Sequence, residues 1–113
     1  MKVLIDECLP HKLRLHLTKH EAGTAVYAGF AGLKNGALLN AAELAGFDVV
    51  VTGDLAMQYQ QNVSNRKLAV VSLSAQGWQI VKNHLSTIAA VVDSAKPGTF
   101  TRVDIGAFSR KRQ

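Results

Sequence analysis

Three short apolar runs constrain this chain most: Val3-Leu4-Ile5, Val49-Val50-Val51 and Leu68-Ala69-Val70-Val71. Each is rich in β-branched residues, and none alternates with polar ones. A strand with one face in water alternates, whereas a strand buried on both faces does not, and burial on both faces is the habit of parallel sheets. Parallel neighbours need long crossovers, which helices usually supply. The intervening segments meet that need. Leu9, Leu13 and Leu17 recur at four-residue steps around Pro10, a residue suited to a first helical turn. Ala37 to Ala45 is rich in Ala and Leu, with Asn35 as a cap and Gly46 as a stop. Trp78, Val81, Leu85, Ile88 and Val92 are spaced alternately three and four apart, which predicts one long helix. Thr24 to Ala28 is a weaker strand, and Phe100 to Ile105 alternates and suits a sheet edge. The expected order is β-α-β-α-β-(α)-β-α-β, an α/β layered fold.

A chain of 113 residues fits one domain, here residues 1–108 followed by a basic tail at 109–113. It can bury roughly two-thirds of its unfolded surface and needs no disulfide or metal staple. The single Cys8 has no partner for an internal disulfide and lacks the spaced companions of a zinc site. The longest apolar runs, such as Ile88 to Val92, fall far short of the ~20 residues that cross a bilayer. Asp6 and Glu7 interrupt the apolar stretch where a signal peptide would need continuity. The expectation is a soluble, cytoplasmic protein with no membrane partner. Of its net charge of +5, three charges come from Arg110, Lys111 and Arg112 in the tail. A second basic group, Lys12, His16, Lys19 and His20, is spaced to share one helix face. Such a face favours nucleic acid or an acidic protein, and equally serves as a solvated surface.

Acidic residues fall at telling places. In open parallel sheets, ligands bind outside the carboxyl ends of the strands. Asp6 and Glu7 directly follow the first buried run, and Asp54 follows Val49 to Gly53. If these strands are neighbours, their carboxylates converge and repel unless a cation or proton intervenes. Mg²⁺ or Mn²⁺ is the natural occupant, able to activate water and to stabilise charge on a phosphodiester. An alternative stays open: Asp54 caps a short helix beginning at Leu55, and Asp6 and Glu7 are turn residues.

The stretches Met1 to Pro10, Gly29 to Gly36, Phe47 to Asp54 and Tyr59-Gln60-Gln61-Asn62 together resemble a small bacterial PIN-like family related to VapC-type ribonuclease toxins. The resemblance covers nearly the whole chain. It implies a three-layer α/β/α PIN-like sandwich with a mainly parallel central sheet, and a site of acidic residues holding Mg²⁺ or Mn²⁺. It further implies an endoribonuclease acting on RNA, with a cognate antitoxin or a second copy as protein partner. Asp6 and Asp54 match the family's acids after the first and third strands, and Glu7 matches the companion of the first. Two positions depart: Asn35, Gly36 and Ala37 stand where relatives show an acid, and Ala56 stands where Asp or Asn is usual. Asn35 offers a neutral oxygen as a fourth metal ligand, and is equally a helix cap. A shell short of two oxygens implies weak Mg²⁺ binding, and a module that binds RNA or protein without cleaving is the alternative function.

Further nucleic-acid contacts are expected from Lys12 and from the loop residues Lys34, Arg66 and Lys67, which can reach phosphates or simply stay solvated. Tyr59 and Gln61 lie in a polar stretch able to stack on and hydrogen-bond single-stranded RNA, or to form a polar helix end. Trp78 opens the apolar stripe of the long helix and reads as core. A phosphoacceptor receiver domain also places acids after its first and third strands, with Lys96-Pro97 as a distant echo. A single long helix over Trp78 to Val92, however, leaves no strand to deliver Lys96.

Overall fold

A computed structural model describes residues 1–53 and 63–106 of the chain, apart from the side chain of Asn35. Asp54, Ala56, Tyr59, Gln61 and the tail at 109–113 lie outside the described residues. Five described strands, β1 (Lys2–Ile5), β2 (Glu21–Thr24), β3 (Val49–Thr52), β4 (Ala69–Leu73) and β5 (Phe100–Val103), form one sheet. Every pairing is parallel, in the order β2-β1-β3-β4-β5. All residues of β3 and β4 are buried, as their continuous apolar runs predict. The edge strands β2 and β5 are only partly covered.

Side-chain alternation sends the strand residues to two cores. Val3, Ile5, Val49, Val51, Val71 and Leu73 face one side, and Leu4, Val50 and Val70 face the other. The second face is covered by α1 (Asn35–Leu44), through Leu38, Leu39 and Ala42. This helix starts one residue earlier than its sequence suggests, with Lys34 as the extended residue before it. It stops where expected. Gly46 has φ +85°, Gly46 N–H donates to the Glu43 carbonyl, and Phe47 N–H donates to that of Ala42. This left-handed, doubly hydrogen-bonded ending is one that glycine adopts without a Cβ penalty.

The first face carries a 3₁₀ helix (His11–His16), together with α2 (Trp78–Val81) and α3 (Leu85–Asp93). The expected helix after Pro10 is therefore a short 3₁₀ segment. Leu9, Leu13 and Leu17 are buried all the same. The long helix expected over 78–92 is interrupted by a 3₁₀ turn at Lys82–His84. There Asn83 Nδ2 donates to the Gln79 carbonyl, and His84 leaves helical geometry at φ −130°. Val81, Ile88 and Val92 remain in the core on either side of the break.

The crossovers do not share one hand. The connection from β1 to β2 moves outward over the 3₁₀ face, and the connection from β2 to β3 moves back over the α1 face, so the two agree. The connection from β4 to β5 moves in the second direction but crosses on the first face, which gives it the opposite hand. About 98% of such crossovers share the right hand, so a sheet that mixes the two hands departs from a regular doubly wound one. Between Trp78 and Val92 no strand occurs, and Lys96 precedes β5 at the amino end of the sheet, away from Asp6.

Candidate functional site

The strand order reverses direction between β1 and β3, and the crevice outside the carboxyl ends of two such strands is where open α/β sheets bind ligands. Asp6 sits there. Its N–H donates to the Val51 carbonyl at 2.9 Å, extending the β1–β3 ladder by one step and placing Asp6 beside Thr52. The residue is only 8% exposed. One carboxylate oxygen accepts the Glu7 N–H at 2.8 Å, and the other accepts the Thr52 hydroxyl at 2.7 Å. Thr52 is fully buried and lies in register with the equally buried Ser72 of β4. A polar row thus crosses β1, β3 and β4 where three apolar runs end.

Cys8 and Gly53 close one side of this row. Gly53 N–H donates to Cys8 Sγ at 3.4 Å, and Gln76 Nε2 donates to the Gly53 carbonyl at 3.3 Å. A Cβ on Gly53 would lie 2.5 Å from Gln76 Cγ and 3.1 Å from Leu9 Cδ2, so any larger residue here requires the Gln76 side chain to shift. Burial pushes the Cys8 thiol pKa up, and the nearby Asp6 carboxylate adds to the effect, against the Gly53 N–H. The thiol therefore stays protonated at neutral pH, the wrong state for a nucleophile.

Glu7 turns elsewhere. Its carboxylate accepts the N–H of Gly32 at 2.7 Å, and Gly32 has φ +85°. Glu7 thereby anchors the glycine-rich loop that leads into α1. Lys34 and the backbone of Asn35 begin α1 at this same end of the sheet, and Ala37 is exposed in its first turn. Lys12 also lies near this end. Its Nζ stands 5.4 Å from the centroid of Trp78, whose ring is 5.8 Å from that of His16.

Arg66 and Lys67 lie at the other end, just before β4. Arg66 donates to Asn40 at 2.8 Å and pairs with Glu43 at 3.0 Å, while the Lys67 N–H donates to the second Glu43 oxygen. Lys19 and His20 are beyond the 3₁₀ helix and both meet Asp93, at 3.4 and 2.6 Å. The expected basic face is therefore divided: Lys12 lies over Trp78, Lys19 and His20 are paired with Asp93 at the amino end, and His16 stands between, near the Trp78 ring and in one cavity with Lys19 and Asp93.

The chemistry of the donor set decides what the described residues hold by themselves. Hard divalent cations need several oxygens. Asp6 offers one carboxylate with both oxygens already hydrogen-bonded, and Glu7 is drawn onto Gly32. Among the described residues no group of three or more His, Cys, Asp or Glu converges as metal ligands do. These residues do not compose a Mg²⁺ or Mn²⁺ site on their own, and the expected partner Asp54 lies outside them. Thr52 and Gln76 were not singled out from sequence. The one available signal was a hydroxyl residue closing each of two buried runs, Thr52 and Ser72. No family model, curated protein or solved structure matches this chain.

Proposed function

We propose that the protein is a PIN-like α/β/α domain that engages RNA at the carboxyl ends of β1 and β3. One observation carries this reading: a buried carboxylate without a cationic partner among the described residues, Asp6, shares this end of the sheet with the cation–aromatic pair of Lys12 and Trp78. A lysine beside a half-buried aromatic ring suits single-stranded RNA, which is bound by phosphate neutralisation and base stacking. Divalent-metal-dependent cleavage is the activity this reading assigns to Asp6 together with Asp54. Binding without cleavage is the second reading. It is favoured by the engagement of Glu7 with Gly32 and of both Asp6 oxygens with hydrogen-bond donors.

One set of measurements separates them: binding of a labelled RNA pool across salt concentrations, then cleavage of that pool across a Mn²⁺ titration. RNA affinity falls steeply with salt, and Lys12→Glu weakens it. Cleavage that appears with Mn²⁺, strengthens in Ala56→Asp and disappears in Asp54→Asn establishes the ribonuclease. Binding with no cleavage at any Mn²⁺ concentration establishes the non-cleaving module. Failure to bind RNA at low salt overturns both.

A further inference from the structure

The outer edge of β2 carries backbone polar groups that no described strand pairs. In the parallel register with β1, Glu21, Gly23 and Ala25 turn their backbone groups inward: Glu21 N–H donates to the Met1 carbonyl and Ala25 N–H to that of Ile5. The N–H and carbonyl of Ala22 and the N–H of Thr24 therefore point away from the sheet, and no described strand pairs with them. Natural edges are usually blunted by lysine, proline or a bulge. Here the inner positions are Ala22 and Gly23, the register is regular, and a Cβ on Gly23 would meet nothing within 4 Å.

A groove of about 740 Å³ follows this edge. His11 and Arg14, from the 3₁₀ helix, line it on one face of the sheet. On the other face lie Phe47 and Lys2, whose Nζ stands 4.5 Å from the Phe47 centroid. Lys2 Nζ also donates to the Ala45 carbonyl at 2.8 Å, so His11 and Arg14 are the basic groups the groove presents, against one carboxylate in the described lining, Glu21. Tyr27, 91% exposed, stands at the carboxyl end of the groove.

We propose that this edge docks an extended acidic segment of another protein, which adds to the sheet as a sixth strand beside β2. The open backbone groups supply the pairing, and side-chain alternation supplies the specificity. Every second residue of the added strand faces His11 and Arg14 and is acidic. The residues between them face Phe47 and are apolar. This site is separate from the crevice at Asp6 and stands whether or not the protein acts on RNA.

The test is fluorescence anisotropy with a labelled peptide of alternating Glu and Val, against a control of alternating Lys and Val. The acidic peptide binds and the basic one does not. Arg14→Glu and Ala22→Pro each weaken binding about tenfold or more, by removing a charge partner and a pairing donor. Proline is admissible at position 22 because that N–H faces away from β1. Equal binding of the basic peptide, or undiminished binding by folded Ala22→Pro, overturns the proposal. Should that variant not fold, hydrogen exchange on the unaltered protein decides. Slower exchange of the Ala22 and Thr24 amides with the acidic peptide supports the docking, and unchanged exchange overturns it. A dimer that Arg14→Glu converts to a monomer in sedimentation puts a second copy on the edge, and also overturns it.

Discussion

The two ends of the sheet treat charge in opposite ways. At the amino end, charged side chains find partners: Arg66 and the Lys67 backbone hold Glu43, Lys19 and His20 hold Asp93, and the Lys2 N–H donates to Asp48 at 2.8 Å. At the carboxyl end, Asp6 is buried among a hydroxyl, a thiol and the Glu7 N–H, with no ion pair among the described residues. A buried carboxylate held only by neutral donors is costly unless something else compensates it. The amino end is thus built for cohesion. The carboxyl end keeps a negative charge in a crevice, an arrangement that stability alone does not favour.

The largest expected effect tests how tightly the carboxyl end is closed. Gly53→Ala places a methyl group against Gln76 and Leu9, and overpacking of this kind costs ~1–3 kcal/mol. Gly23→Ala adds the same group on the open β2 edge and changes stability by less than ~0.5 kcal/mol. Urea unfolding of the two variants checks the contrast. Equal losses mean that the Gly53 passage is not the constraint its contacts describe.

A smaller effect tests cohesion at the amino end through pH. The Lys67 N–H, with Arg66 beside it, holds the Glu43 pKa below its ordinary 4.5, and His20, followed by Lys19, holds that of Asp93 below 3.8. A carboxylate with a depressed folded pKa stabilises the fold above its unfolded value and loses that contribution as pH falls through the folded one. Glu43→Gln therefore lowers Tm at pH 7. The difference from the unaltered protein shrinks below about pH 4.5 and closes once Glu43 itself is protonated. Asp93→Asn behaves alike, with its window below about pH 3.8. A difference that persists at pH 2 shows that shape, rather than charge, carries the contribution.

What the sequence reveals follows the same division. The central strands are legible because burial on both faces leaves an unbroken apolar run, as in β3 and β4. Edge strand β2 is not, since Glu21-Ala22-Gly23-Thr24 has neither run nor alternation, and the favoured segment Thr24 to Ala28 overlaps it by a single residue. Periodicity finds the buried face of the 78–92 stretch but not the break at Lys82–His84, where a side chain competes for a backbone carbonyl. Nothing in the pattern tells which face the β4–β5 crossover takes. Asp6 is legible from its place after an apolar run. The partner of Arg66 is not, because Glu43 lies 23 residues away in sequence and a loop arginine looks the same whether it awaits a phosphate or already holds a carboxylate.

The smallest expected change in stability bears most directly on the comparison. Asp6→Asn preserves shape. Its amide oxygen still accepts the Glu7 N–H, and its amide nitrogen can donate to the Thr52 hydroxyl, which accepts as readily as it donates. The hydrogen bonds survive in number while the buried charge disappears, so Tm at pH 7 stays level or rises, opposite in sign to Glu43→Gln. Groups retained at a cost to stability are a mark of sites that act on something else. The same pair of proteins then reports ligand binding without any assay of activity. A cation that engages Asp6 raises the Tm of the unaltered protein as Mn²⁺ is added, because binding to the folded state alone stabilises it, and leaves that of Asp6→Asn unmoved. If Asp6→Asn instead lowers Tm as much as Glu43→Gln does, Asp6 is a structural carboxylate like those at the amino end, and the distinction between the two ends fails.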